Sequence, residues 1–504
     1  MRLLKFLVLA LVIASALPAA AEEGAHSPNI THLQNIKQER RDGTTPTAGQ
    51  GSDLEFMSVD VTGLPEAVER GVEGVRNFAL GGSLANGMQI VDITDPTAAT
   101  TVSVWDCRIN QGDIQVFTRA DGHTYATFTQ DSTKSAASAN SPCYIEAKAA
   151  GFAMGSNNGT FIVDLTNPYA PAFVSFIAIA KGSHNQTVHP SGMVMYNSNN
   201  ELAAGQGIME IIDIADVRKP KQVGTLALTT GIDSHDITFS ADGKRAYSAA
   251  ISHTLIFDTS NPLAPTIIGR IVDPSMGIQH QADPVTITDP ILGTRTYLAV
   301  TDEFGGGSAG SLCPGGAVHI FDITGALEKN PVKVGVWEAP TTKPAGGGQE
   351  ATGSALGCTS HVLRFHPAEK IMTIAWYNAG IHVVDISGLM GVSAGLTSPL
   401  KSNQASTGSL GAGMKELGYY FFPNSNTWSV KTNQIAADGS MYLYGNDINR
   451  GMDVYKFRRP GAGEVVDFGS WTAPEVYAQR VGVRTPTDLA GMAKPFCMLT
   501  PVQV

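Results

Sequence analysis

Short apolar strands that end in an aspartate and run into a turn recur along the whole chain. Six clear copies, the first being Met88-Gln-Ile-Val-Asp92, end at Asp92, Asp164, Asp213, Asp258, Asp322 and Asp385, and a degenerate seventh surrounds Asp453. Asp164, Asp213 and Asp258 lie 49 and 45 residues apart, which is the length of one four-stranded propeller blade. The longer intervals elsewhere indicate loop insertions. The pattern therefore predicts an all-β fold, a seven-bladed β-propeller of four-stranded antiparallel blades.

A second pair of strands joined by a tight turn precedes most copies of this sequence motif, the apolar strand that ends in aspartate. In the fourth copy the turn is Ala241-Asp242-Gly243, a typical hairpin sequence. The four strands of this blade, a to d in chain order, are predicted at 235–239, 245–250, 254–258 and 266–272. Because the aspartate that closes strand c recurs in every copy, we expect its carboxylate to cap the following turn.

These motifs resemble the LVIVD-repeat family, exported bacterial and archaeal β-propellers named after the strand-c sequence. The resemblance covers roughly residues 54–471 and implies a propeller in an exported protein. It implies no particular activity, because propellers host many unrelated functions.

The two ends of the chain differ from the repeat region. Residues 1–21 have the form of a secretory signal, with Arg2 and Lys5 before an apolar stretch and Ala19-Ala20-Ala21 at the cleavage site, which predicts a secreted, cell-surface or periplasmic protein. Residues 22–53 are predicted to be a flexible leader, 54–471 the propeller and 472–504 a C-terminal extension. No later segment reaches 18 uninterrupted apolar residues, so no membrane span is predicted in the mature chain.

Composition narrows the classes of partner. Lys and Arg total 34 against 45 Asp and Glu, a net charge of −11, and no basic run occurs. This balance argues against a nucleic-acid partner. Apolar residues make up 43% of the chain, which is sufficient for a large core.

Cysteines in an exported chain predict disulfides. The five are Cys107, Cys143, Cys313, Cys358 and Cys497, and none forms a C-x-x-C pair. The predicted strand order places the first four in loops on one rim, with Cys107 near Cys143 and Cys313 near Cys358. We therefore expect the bridges Cys107–Cys143 and Cys313–Cys358, with Cys497 unpaired or paired between chains.

A set of histidines and carboxylates forms the candidate site. The histidines stand at the start of strand a in blades three to six, and the carboxylates at the end of strand b in blade five: His184, His235, His280, His361, Asp302 and Glu303. In antiparallel blades these positions meet at the same rim, so the side chains would converge on the channel mouth. Imidazole and carboxylate suit a divalent transition metal. The structural alternative is that each ring hydrogen-bonds a neighbouring blade.

Two classes of function stay open. The first is a cell-surface or secreted binding module that holds a protein or glycan on the long loops 302–316 and 339–360. The second is a metal-dependent enzyme, an oxidase or hydrolase, that uses the histidine cluster. The sequence contains no H-E-x-x-H or Walker motif, and the binding module is favoured.

Overall fold

The computed structural model describes residues 24–109, 111–130, 139–155, 158–199, 207–228, 234–303, 316–339, 359–393, 409–410, 413–461 and 464. The signal at 1–21, the extension at 472–504 and most of the two long loops lie outside these residues. The described chain forms seven antiparallel blades in a ring, a seven-bladed β-propeller. The innermost strands contact one another in a closed circle, with blade seven against blade one.

The first three blades each contain four strands in chain order. Blade one contains Gly51–Asp60, Val75–Ser83, Gly87–Asp92 and Thr100–Trp105. Blade two contains Gln111–Thr118, Thr124–Gln130, Gly159–Asp164 and Ala172–Ala178. Blade three contains Asn185–Val188, Val194–Ser198, Ile208–Asp213 and Lys221–Ala227.

The remaining blades follow the same plan with additions at their outer edges. Blade four contains Asp236–Phe239, Arg245–Ala250, His253–Asp258 and Thr266–Ile271. Blade five contains Gln279–Asp289, Gly293–Asp302, Val318–Asp322 and Val332–Trp337, with Ser409–Leu410 added outside. Blade six contains Leu363–His366, Ile371–Ala375, Ile381–Asp385 and Lys415–Phe421, with Ala25–His26 added outside. Blade seven contains Thr427–Lys431, Met441–Asp447, Gly451–Phe457 and Ile30–Ile36.

Helices are short in the described chain. They span Pro65–Arg70, Pro142–Ala149 and Leu389–Ser393, with 3-10 turns at Pro96–Ala98 and Gly325–Glu328. No helix within the described ranges is long and apolar enough to cross a membrane. The apolar core lies between the blades, where strands b and c are buried on both faces, as a stacked-sheet architecture requires.

The aspartate that closes strand c caps the next turn, as predicted, in six blades. Its Oδ1 accepts a hydrogen bond from the backbone N–H two residues ahead at 2.8–2.9 Å, in Asp92, Asp164, Asp213, Asp258, Asp322 and Asp385. Asp453 in blade seven differs, because its carboxylate accepts hydrogen bonds from His32 and Arg450 instead. The repeated aspartate is therefore structural.

The prediction of a flexible leader at residues 22–53 is wrong for three of its segments, one of which, 51–53, begins the first strand of blade one. Ile30–Ile36 pairs antiparallel with Gly451–Phe457 and supplies the outer strand of blade seven, and Ala25–His26 pairs with blade six. The propeller therefore extends beyond the predicted 54–471 at its N-terminal side. An outer strand from the N-terminal side of the chain, added to three strands from the C-terminal side, closes the ring through backbone hydrogen bonds with Gly451–Phe457.

The predicted bridge between Cys107 and Cys143 is confirmed. Cys107 follows the outer strand of blade one, and Cys143 lies in the Pro142–Ala149 helix between strands b and c of blade two. Both cysteines are buried. The second predicted pair, Cys313–Cys358, lies outside the described residues, as does Cys497.

Candidate metal centre and central channel

Four histidines from neighbouring blades form an arc of rings at one end of the channel. In order around the arc they are His184, His235, His280 and His361, from blades three to six. The centroids of successive rings lie 4.4, 4.5 and 4.1 Å apart. All four side chains are buried. The structure thus brings together the histidines that the repeat placed at equivalent positions, and their rings do not turn away into separate blade interfaces.

Glu303 joins this arc and Asp302 does not. Oε2 of Glu303 lies 3.9 Å from Nε2 of His280, and its Oε1 lies 3.9 Å from Nε2 of His361. Asp302 instead accepts hydrogen bonds from the backbone N–H groups of Gly277 and Ile278, at 3.0 Å each. Consecutive residues of an extended chain point to opposite faces. The expectation that Asp302 could be a ligand is therefore not supported, because its carboxylate holds the loop before strand a.

Three of the donors come close enough to share one ion. One donor atom from each of His235, His280 and Glu303 lies within 4.8 Å of the other two. Two ligand atoms with bonds near 2.1 Å to one metal ion lie at most about 4.2 Å apart. The 3.9 Å between Nε2 of His280 and Oε2 of Glu303 already satisfies this limit. The upper bound of 4.8 Å for the other separations exceeds it by about 0.6 Å.

The protonation of the histidines suits metal binding. Burial lowers the pKa of His184 and His361 to about 3 and lowers the pKa of His235 and His280 well below the ordinary value, so the rings are neutral at pH 7. Nδ1 of His361 lies 2.6 Å from the backbone oxygen of Trp428. A neutral ring that donates from Nδ1 to this carbonyl leaves Nε2, the atom facing Glu303, with its lone pair.

Sequence reasoning missed the residues that hold this cluster in place. The hydroxyl of Tyr377 donates to Oε1 of Glu303 at 2.8 Å, and its ring centroid lies 4.6 Å from that of His361. At the other end of the arc, Nε2 of Gln111 lies 3.2 Å from Nε2 of His184. The local sequences give no motif for either residue, because the contacts depend on the ring arrangement of the blades.

Strained backbone is concentrated around the cluster. Tyr377 has φ of 37° and Gln111 has φ of 93°, and Ile251, whose backbone pairs with Gln279 beside His280, has φ of 62°. A β-branched residue in this region is especially unfavourable. Such strain persists where the surrounding structure enforces it, commonly at functional sites.

A cavity of about 320 Å³ occupies the channel next to the histidines. His184 and His280 border it, together with polar side chains from the innermost strands of several blades. Five of the lining side chains are acidic and two are basic: Asp53, Glu55, Asp113, Asp236, Asp283, Arg364 and Lys431. The channel is therefore polar and carries a formal excess of three negative charges.

The basic side chains lie on one side of the channel. Nζ of Lys431 lies 2.9 Å from Oδ1 of Asp53 and 2.8 Å from Oε1 of Glu55, and Arg364 pairs with Glu55. Burial raises the pKa of Glu55, but the guanidinium and ammonium groups outweigh it and lower this pKa to about 2. This carboxylate is ionised at pH 7.

Three further channel carboxyls form no ion pair of this kind within the described ranges. Burial, together with Asp53 and Asp236, raises the pKa of Asp113 well above its ordinary value. Burial, with Asp283 nearby, raises the pKa of Asp236 to about 7, and burial also raises the pKa of Asp283. Proximity of like charges in a buried channel is the common cause.

Comparison with known proteins adds information on the fold only. No family model matches the sequence, and no curated protein matches it. Among solved structures, the chain is similar to a functionally unknown protein from Desulfotomaculum acetoxidans DSM 771 (13% identity, TM-score 0.42, 68% of this chain and 84% of that one). It is also similar to the periplasmic gluconolactonase PpgL of Pseudomonas aeruginosa (12%, 0.39, 71% and 82%) and to Sqt1 from Chaetomium thermophilum (10%, 0.43, 76% and 80%). Likeness at this level concerns the propeller fold alone.

Proposed function

We propose that this protein is an exported β-propeller that binds one divalent transition-metal ion at the end of its central channel and a small polar ligand in the adjoining cavity. The observation that carries the proposal is the group of buried donor atoms from His235, His280 and Glu303, all within 4.8 Å of one another. His361 lies beside this group, with its Nε2 3.9 Å from Oε1 of Glu303, but it is not one of the three residues that meet the 4.8 Å limit.

The chemistry of these donors supports a transition metal. Imidazole binds Mn, Fe, Co, Cu and Zn, and a set of two histidines and one carboxylate leaves positions open for a further ligand. The structural alternative, in which each ring hydrogen-bonds a neighbouring blade, accounts for the contact of His184 with Gln111 and for that of His361 with the backbone oxygen of Trp428. It does not account for His280, whose buried Nδ1 has no hydrogen-bond partner within the described ranges.

A metal-dependent enzyme, an oxidase or a hydrolase, is the second candidate. The position of the cavity favours an enzyme, because His280 lines the cavity and a substrate bound in it would lie beside the proposed metal site. A metal ion in this position would supply Lewis-acid or redox chemistry. Turnover of a cavity ligand by the metal-loaded protein, and its absence in the metal-free protein, would distinguish an enzyme from a binding module.

Three further predictions rest on the sequence. They are membership of the LVIVD-repeat family, export to the cell surface, periplasm or medium, and a protein or glycan partner on the loops 302–316 and 339–360. Residues 304–315 and 340–358 of these loops lie outside the described part of the chain. The partner stays a prediction.

Metal analysis of the mature protein tests the proposal. The purified protein is incubated with Mn, Fe, Co, Cu or Zn ions and dialysed, and its bound metal is measured by inductively coupled plasma mass spectrometry. We expect one equivalent of one of these metals in the wild type and less than a tenth of that in His280→Ala and Glu303→Gln. His123→Ala changes an exposed histidine far from the arc and should retain full metal content.

The folding state is checked by circular dichroism for every variant. Glu303→Gln keeps the shape of the side chain, so it separates loss of a ligand from loss of the fold. A wild type that retains none of the five metals would overturn the proposal, and so would full metal content in folded His280→Ala and Glu303→Gln.

A further inference from the structure

Three carboxyl groups in the channel have no cationic partner within the described ranges. They are Asp113, Asp236 and Asp283, from blades two, four and five. The two basic residues of the channel are engaged elsewhere, because Lys431 pairs with Asp53 and Glu55 while Arg364 pairs with Glu55. The carboxyl groups without a basic partner therefore come from blades two, four and five, whereas the basic residues come from blades six and seven.

The hydrogen bonds of these carboxyls do not neutralise them. Asp113 accepts from the backbone N–H of Gln186 at 3.3 Å, Asp236 from that of Ile237 at 2.7 Å, and Asp283 from the hydroxyl of Thr238. All three donors are uncharged. Because ionised carboxylates without a counter-ion are costly to bury, these groups hold their protons more tightly than usual. A cation that enters the cavity would favour the ionised form by pairing with it.

Unsatisfied polar atoms in the same cavity point independently to a ligand. Oδ2 of Asp53 and Nδ1 of His280 have no hydrogen-bond partner among the described residues. Both residues border the cavity, and they are only 5% and 3% exposed. Buried polar atoms are normally satisfied by protein, water or ligand.

The spacing of the carboxyls selects the kind of cation. In the described part of the chain, the group that brings three donor atoms within 4.8 Å is His235, His280 and Glu303, and no channel aspartate belongs to it. A bare metal ion therefore finds no ready set of ligands among the aspartates. A molecule with several separated positive charges could pair each charge with a different carboxylate. The cavity, at about 320 Å³, is at the small end of the size range of ligand pockets, so the molecule must be small.

We propose that the central channel binds an aliphatic polyamine, whose ammonium groups pair with Asp113, Asp236 and Asp283. A primary ammonium group donates up to three hydrogen bonds and accepts none, which suits a lining of carboxyl oxygens. The carbon segments between the charges would contact Val188, Ile237 and Leu363, apolar residues of the same lining. The three aspartates that would pair with the polyamine are not among the proposed metal ligands, and the inference holds for the metal-free protein.

Calorimetric titration of the metal-free mature protein with spermidine tests this inference. We expect one molecule bound per chain, with affinity ten- to a hundredfold weaker in Asp113→Asn and in Asp283→Asn, since each variant removes a charged hydrogen-bond acceptor. Asp289→Asn is the matched control, because Asp289 lies at the far end of the same strand as Asp283 and does not border the cavity. Its affinity should equal that of the wild type.

Two further ligands of the same length test whether binding requires positive charge on the ligand. We expect 1,5-diaminopentane to bind and 1,5-pentanediol, its uncharged counterpart, not to bind. Equal binding of the diol would overturn the inference. Competition of magnesium ions with spermidine would also overturn it, if the affinity for magnesium were weakened to the same extent in Asp113→Asn and Asp283→Asn. Absence of spermidine binding at millimolar concentration would overturn it as well. Because the protein is metal-free, any of these failures leaves the metal proposal standing.

Discussion

Replacement of Ile30 by alanine should destabilise the whole propeller, although this residue lies in the predicted leader. Ile30 begins the outer strand of blade seven and is 1% exposed. It belongs to the apolar cluster between blades six and seven with Ile371, Ile381 and Tyr420. Ile30 also approaches the backbone of Gly418 closely. The side chain therefore connects two blades as well as filling the core.

The magnitude follows from this burial. Truncation of a fully buried isoleucine to alanine costs about 2–5 kcal/mol of unfolding free energy, and truncation to valine about 0.5–1.5 kcal/mol. We expect Ile30→Ala and Ile30→Val to fall in these ranges. Ile291→Ala provides the control, because Ile291 is 91% exposed and its truncation should change the free energy by less than about 0.5 kcal/mol.

Equilibrium unfolding in urea, followed by tryptophan fluorescence, measures these differences. Hydrogen exchange of the amides in Gly451–Phe457 gives a second readout, because these residues pair with the Ile30 strand and local opening should accelerate their exchange. If Ile30→Ala were as stable as Ile291→Ala and exchange in Gly451–Phe457 were unchanged, the N-terminal strand would not close the ring and the reasoning would be refuted.

Two other perturbations test separate parts of the structure. The Cys107–Cys143 bridge joins residues 36 positions apart, so replacing both cysteines by serine should lower the unfolding free energy by about 3–4 kcal/mol in the chain-entropy model. Reduction of the wild-type bridge should give the same loss. An unchanged unfolding free energy in both cases would contradict the prediction. Glu55 has a pKa lowered to about 2 despite burial, by Arg364 and Lys431, so its stabilisation is present above its unfolded pKa near 4.5 and is lost as pH falls through 2. Glu55→Gln should therefore be less stable than the wild type by about 3 kcal/mol at pH 7, and urea unfolding should show the difference disappearing near pH 2; a difference independent of pH would contradict the assignment.

The number of blades could be predicted because strand c of each blade carries one copy of the repeated sequence motif. The origin of the last strand could not be predicted in the same way, because Ile30–Ile36 lacks the motif and lies far from blade seven in sequence. After Phe457 the sequence continues through a turn to the apolar positions Val465, Val466 and Phe468, so the sequence alone does not indicate that the outer strand of this blade comes from the N-terminal side.

The candidate site was predictable only in part for a different reason. The histidines occupy equivalent positions of the repeat, so their convergence follows from the fold. The choice between Asp302 and Glu303 depends on the register of blade five, where the pairing shifts between Gln279 and Ala282, and no sequence pattern sets this bulge. Tyr377 was missed because its position depends on an unusual backbone conformation with φ of 37°.

Comparison among the blades separates structural residues from functional ones. The turn-capping aspartate is retained in six blades, which is what a role in folding each blade demands. At the position of the histidines the repeat is broken, since blades one, two and seven carry Ser52, Gly112 and Trp428 there by strand register. If the rings served only to join neighbouring blades, the same requirement would apply at all seven interfaces. Their restriction to four consecutive blades, facing one carboxylate and a charged cavity, is better explained by a ligand that occupies one side of the ring.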